Sequence, residues 1–135
     1  MSTIRNKVMI VDDDPIVLQT VSIALEARRY TVVTRDSPIG TGAAIMSERP
    51  EVLILDVQMP GLSGDSLMRL LEKKTDVILP WVIFHSSLPL SELQGLKYRS
   101  RAAGVIQKTE LRQFLLEFEK LLASFRMGAI AQSSS

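Results

Sequence analysis

Short runs of apolar, largely β-branched residues alternate with longer stretches in which apolar positions recur every three or four residues, and the alternation repeats five times. Val8-Met9-Ile10-Val11, Val52-Leu53-Ile54-Leu55 and Trp81-Val82-Ile83-Phe84 are continuous rather than alternating. That pattern predicts central strands of a parallel sheet, covered on both faces. Tyr30-Thr31-Val32-Val33-Thr34 is more mixed and suits an outer strand, and Val105-Ile106-Gln107 after Gly104 is a short fifth one. Each intervening helix carries a start signal. Asp14 before Pro15 is an N-cap followed by proline at the first helical position, and Val17, Val21, Ala24 and Leu25 form the stripe behind it. Ser37-Pro38 repeats the signal, though Gly40 and Gly42 weaken the second helix. A third helix is expected over about Asp65 to Lys73 with Leu67, Leu70 and Leu71 inward, and Ser91 with Gln94 has capping-box spacing for a fourth. Leu111, Phe114, Leu115, Phe118, Leu121, Leu122 and Phe125 mark a fifth, with Gly128 as its stop. Five such units imply an α/β fold, a parallel sheet with helices on both faces.

At 135 residues the chain is one domain's worth and long enough to bury a self-sufficient core. It has no cysteine, which removes disulfides, thiolate metal sites and a cysteine nucleophile, and His85 is its single histidine. Functional chemistry therefore falls to oxygen and nitrogen groups. Sixteen basic against fifteen acidic residues give a net charge of +1, so charge supplies no argument for nucleic-acid or membrane binding. No apolar run approaches the ~20 residues that span a bilayer, and Met1 to Asn6 lack a secretory signal. A cytoplasmic protein is expected.

An open parallel sheet places its site at the carboxyl ends of its strands, near the point where strand order reverses. The residues that follow the apolar runs are Asp12, Asp13 and Asp14, then Asp56, then His85, Ser86 and Ser87, and finally Lys108. Carboxylates gathered this way repel unless a cation neutralises them, and an all-oxygen set suits Mg2+ with a coordination position left for a phosphoryl group. Lysine and serine would serve the remaining phosphoryl oxygens, and a carboxylate can itself be the nucleophile.

Taken together, the Asp12-Asp13 pair, the segment Leu55-Asp56-Val57-Gln58-Met59-Pro60-Gly61 with Gly64 following, Ser86 and Lys108 resemble the receiver domain of two-component response regulators. The resemblance covers about residues 5–126, leaving 127–135 as a tail or linker stub. It implies a flavodoxin-like (βα)5 receiver fold with strand order 2-1-3-4-5. It implies Asp56 as phosphoacceptor for a histidine kinase or phosphotransfer protein, with Asp12, Asp13, Asp56 and the Gln58 main-chain carbonyl around Mg2+. Lys108 would pair with a phosphoryl oxygen, and Ser86 would move to bond another. His85 and Ser87 flank Ser86, and a one-residue shift of the strand boundary would substitute either; spacing from Asp56 and to Lys108 selects Ser86. Asp14 is read as a cap, and His85 as structural or surface-lying.

Two positions depart from the family pattern. Val105 stands where most receivers carry an aromatic residue, which removes the usual rotamer coupling. Thr109 stands where proline commonly follows the lysine, so a trans peptide is expected there. Gln58 occupies the position at which aspartyl-phosphate hydrolases carry a general acid, so a regulator rather than an enzyme is expected. A phosphorylation-independent docking module of the same fold is the alternative. With nine or so residues after the last helix, output is expected through contact by the fourth helix, fifth strand and fifth helix. Lys97, Arg99 and Arg101 make that surface basic and suited to an acidic partner, as a monomer or a phosphorylation-dependent dimer. The other reading is a receiver excised from a longer regulator.

Overall fold

The structure, a computed structural model, describes residues 6–62, 66, 69, 79–100 and 102–133. Its elements are β1 (Lys7–Val11), α1 (Pro15–Ala27), β2 (Thr31–Arg35), α2 (Thr41–Glu48), β3 (Val52–Leu55), β4 (Trp81–Ser86), α3 (Leu90–Ser100), β5 (Gly104–Gln107) and α4 (Leu111–Ser133). All strand pairs are parallel, in the order β2-β1-β3-β4-β5. The expected doubly wound sheet is therefore present. The third expected helix, Asp65 to Lys73, lies outside the described residues apart from Ser66 and Arg69, which are helical.

Period-two alternation divides the apolar runs between two cores. Val8, Ile10, Val52, Ile54, Ile83 and Ile106 face Val21 and Leu25 of α1 and Phe114, Phe118 and Leu122 of α4. Met9, Val11, Leu53, Leu55, Val82 and Phe84 face Ile45 of α2 and Leu93 of α3. Gly104 lets β5 sit directly under α4, since a Cβ there would lie 3.0 Å from Leu121 Cδ1. Two cores fix the register, because a slip of one residue would exchange the faces of a whole strand.

Of the start and stop signals, the Asp14 cap is present as expected and others act differently. Asp14 caps α1, its carboxylate accepting from Ile16 N. Ser37 and Pro38 instead form a turn: Ile39 N donates to Ser37 Oγ, Thr41 N donates to Pro38 O, and α2 begins after Gly40 at φ +80°. Ser91 lies inside the first turn of α3, whose Glu92 and Leu93 amides both donate to Pro89 O. Gly128 does not end α4, which continues to Ser133. One glycine costs a helix only about 1 kcal/mol, too little to stop one flanked by Met127 and Ala129. Among the described residues no helix is long and apolar enough to cross a membrane.

β4 runs two residues further than the apolar pattern, through His85 and Ser86. His85 shares the face of Ile83 and packs on Phe114, ring centroids 4.9 Å apart. The imidazole is buried. Burial, aided by the Lys108 charge and opposed by Asp12, pushes its pKa down to about 4.

Two consequences are measurable. Phe118, fully buried against Tyr30 and Phe114, should lose about 3–5 kcal/mol of stability on substitution by alanine. Trp81, the sole tryptophan, stacks on Phe125 and reports unfolding in urea by its fluorescence. Between pH 6.5 and about 4 the unfolded chain binds a proton that folded His85 refuses, so stability falls as pH falls through that window. His85→Leu should flatten that part of the urea-midpoint profile.

Candidate functional site

Backbone hydrogen bonds carry the ladder one step past the strands and hold the polar residues at the carboxyl edge. Asp12 N donates to Arg35 O at 3.1 Å, Asp56 N to Val11 O at 2.9 Å, and Lys108 N to Ser86 O at 2.7 Å. β1 and β3 are neighbours although β2 lies between them in sequence, so Asp12 and Asp56 meet at the topological switch point. The loop after β3 is anchored by Met59, buried in the second core, and turns at Gly61 with φ +82°, a conformation that favours glycine. This is the physical content of the Met59-Pro60-Gly61 segment.

One carboxylate oxygen from each of Asp12, Asp13 and Asp56 lies within 4.8 Å of the others. Asp12 and Asp56 are buried, whereas Asp13 is exposed. Lys108 Nζ stands 2.9 Å from Asp12 Oδ2 and 3.3 Å from Asp56 Oδ2, bridging two segments far apart in sequence. Asp12 Oδ1 accepts from Asp14 N at 2.9 Å, and Asp56 Oδ1 from Gln58 N at 2.8 Å. Asp12 Oδ2 is buried and is paired with the Lys108 ammonium.

Burial pushes the Asp56 carboxyl above the usual range and nearby Asp12 adds to the rise, while the Gln58 amide and Lys108 oppose it. For Lys108 burial acts downward, but Asp12 and Asp56 outweigh it and raise the ammonium's pKa. One ammonium among three carboxylates leaves an excess of negative charge.

Of the residues after the fourth apolar run, Ser86 and Ser87 both turn toward Gln58: their hydroxyls donate to Gln58 Oε1 at 2.7 and 2.9 Å. Ser86 Oγ also accepts from Leu88 N at 3.1 Å, and Gln107 Nε2 donates to Leu88 O at 2.9 Å. Neither the Gln58 side-chain role nor that of Gln107 is visible in the sequence, because each joins separate strand ends. The placement of His85 in the core does have a signal, its shared parity with Ile83. Val105 is half-buried against the second core, and no cis peptide occurs among the described residues. Gly64 and Arg101 lie outside the described residues.

Residues 8–117 match the family model for the response regulator receiver domain. The heme response regulator HssR of Staphylococcus haemolyticus is 27% identical over 123 residues, covering 91% of this chain and 54% of that protein. The DNA-binding response regulator MtrA of Mycolicibacterium smegmatis is 30% identical over 81 residues, 57% of this chain and 34% of that protein. The chain thus spans about half or less of the length of these relatives. The solved chemotaxis response regulator CheY4 of Vibrio cholerae superposes with a TM-score of 0.73 at 22% identity, covering 85% of this chain and 97% of that one. A CheY-like receiver domain from Methanospirillum hungatei gives 0.72 at 22% identity over 90% and 97%. These structures share the fold. With the family match running from the first strand into the last helix, the chain belongs to the receiver domains of two-component response regulators, signalling modules that work with histidine kinases and output domains rather than classical enzymes.

Proposed function

We propose that Asp56 accepts a phosphoryl group from a phosphohistidine on a sensor kinase or phosphotransfer protein. The observation that carries this reading is the convergence of Asp12, Asp13 and Asp56 within 4.8 Å, with Lys108 bridging two of them. The donor set fits Mg2+: it is all oxygen, and one ammonium leaves the three carboxylates with an excess of negative charge. The carboxylates of Asp12, Asp13 and Asp56 and the main-chain carbonyl of Gln58 would hold the ion. When bound, it offsets the carboxylate charge and that of the incoming phosphoryl group.

In the transfer, an Asp56 carboxylate oxygen forms a bond to phosphorus while the bond from phosphorus to the donor's imidazole nitrogen breaks, and that nitrogen keeps the electron pair. Lys108, already at Asp56 Oδ2, pairs with a phosphoryl oxygen once the carboxylate charge is gone. Ser86 supplies a hydroxyl to another. Gln58 carries an amide where a hydrolase would need a proton donor, so the acyl phosphate serves as a signal rather than a turnover intermediate. The surface of α3, β5 and α4 is the output face. There Tyr98 is 91% exposed between Lys97 and Arg99, which suits an acidic partner surface.

Intact mass after treatment with acetyl phosphate and Mg2+ should show one phosphoryl adduct on the wild type and none on Asp56→Asn. An adduct of equal stoichiometry on the Asn variant would move the acceptor elsewhere. No adduct on the wild type would leave a docking module independent of phosphate. Lys108→Ala should still load, yet lose the loading-dependent change in hydrogen exchange over residues 86–100. Because the folded pKa of Asp56 is raised, its contribution to stability is greatest below 3.8 and is lost as pH rises through the folded value. Asp56→Asn should therefore raise the urea midpoint at pH 7 in chelator, with the gap closing as pH falls into the carboxylate range.

A further inference from the structure

We propose that the side-chain carbonyl of Gln58 is a latch that holds the loop between β4 and α3 in its unphosphorylated setting, so that Gln58 acts as a positioning residue for Ser86. The proposal rests on the phosphoacceptor reading of Asp56 and adds to it a step that the loop must take. Ser86 is fully buried and has a single O–H, which it donates to Gln58 Oε1 at 2.7 Å. It has no second proton for a phosphoryl oxygen, and no water reaches it to take over the bond. Serving Asp56 therefore requires that the Gln58 bond break first. Ser87 donates to the same oxygen at 2.9 Å, so both lone pairs of the amide carbonyl are committed to this loop.

Gln58 is also placed to sense the acceptor. Its backbone N–H donates to Asp56 Oδ1 at 2.8 Å, a bond strengthened by the carboxylate charge. Formation of the acyl phosphate removes the carboxylate's own charge and weakens the bond. One residue thus reads the acceptor with its main chain and restrains the loop with its side chain. Beyond Ser86 the connection continues: Leu88 N donates to Ser86 Oγ, and Leu88 O is held by Gln107 Nε2 at the end of β5. Movement of Ser86 frees the Leu88 amide two residues before α3 begins, a route to the output face that needs no aromatic side chain at Val105.

Two measurements on the full chain test this. Amide exchange at Leu88 is read in unmodified protein with chelator, and the affinity for beryllofluoride, a phosphoryl mimic, is read with Mg2+. Gln58→Met keeps the side-chain length and removes the acceptor. It should speed Leu88 exchange about 2- to 10-fold and tighten beryllofluoride by a similar factor, the range expected for one hydrogen bond. Gln58→Glu, which retains an acceptor for both hydroxyls, should restore the wild-type exchange rate. Ser87→Ala should leave Leu88 exchange near wild type, whereas Ser86→Ala should speed it and weaken beryllofluoride binding. Leu88 exchange at the wild-type rate in Gln58→Met, or no rescue by Gln58→Glu, would overturn the latch; Gln58→Ala replaces the Met variant if that one does not fold. Failure of the wild type to bind beryllofluoride would instead sink the phosphoacceptor reading, and the exchange arm would still decide the latch.

Discussion

Lys108 between Asp12 and Asp56 is the interaction on which the site depends. Two buried carboxylates at the ends of adjacent strands are held by backbone ladders that leave them little room to part. Their repulsion and desolvation act against the fold, and the single ammonium offsets only part of both. Such an arrangement persists because the sheet is clamped on each face by its own apolar core, whose burial sets the register without reference to the charges above it. The same clamping keeps the acids close to one another at the carboxyl edge.

Two of the buried titratable groups near this edge, His85 and Asp56, respond to acid with opposite signs. His85 loses stability for the fold as pH falls from 6.5 toward 4, while Asp56 recovers it as its carboxyl takes up a proton. They sit on one face of the sheet yet do different work. His85 is part of the apolar layer beneath α4, and its neutrality follows from that burial. Asp56 lies one step beyond its strand, where Lys108 and the Gln58 amide meet its buried carboxylate.

Val105 in β5 stands where the family pattern carries an aromatic residue, and the loop after β4 is held by polar side chains. Val105 has no ring to turn, and its half-buried side chain packs quietly against the second core. Two glutamines, Gln58 after β3 and Gln107 at the end of β5, instead hold the loop by its Ser86 and Ser87 hydroxyls and its Leu88 carbonyl. Polar side chains of this kind restrain a loop through a few directional bonds of about 1 kcal/mol each.

The five-unit α/β plan, the central strands and the gathering of Asp12, Asp13, Asp56 and Lys108 at one edge were legible in the sequence. Apolar runs covered on both faces report a parallel sheet, and such a sheet puts whatever follows its strands in one place. Local signals were less decisive where a neighbouring interaction outweighed them. Ser37 serves a turn rather than a cap, and Gly128 is absorbed into α4, since each is worth about 1 kcal/mol or less against the packing and hydrogen bonding around it. What tertiary structure alone decided is the pairing of side chains across the strand ends: His85 inward on Phe114, Ser86 and Ser87 on one amide oxygen of Gln58, and Lys108 shared between two acids. Those pairings depend on rotamers and on distances between segments remote in the chain, which hydrophobic periodicity does not encode.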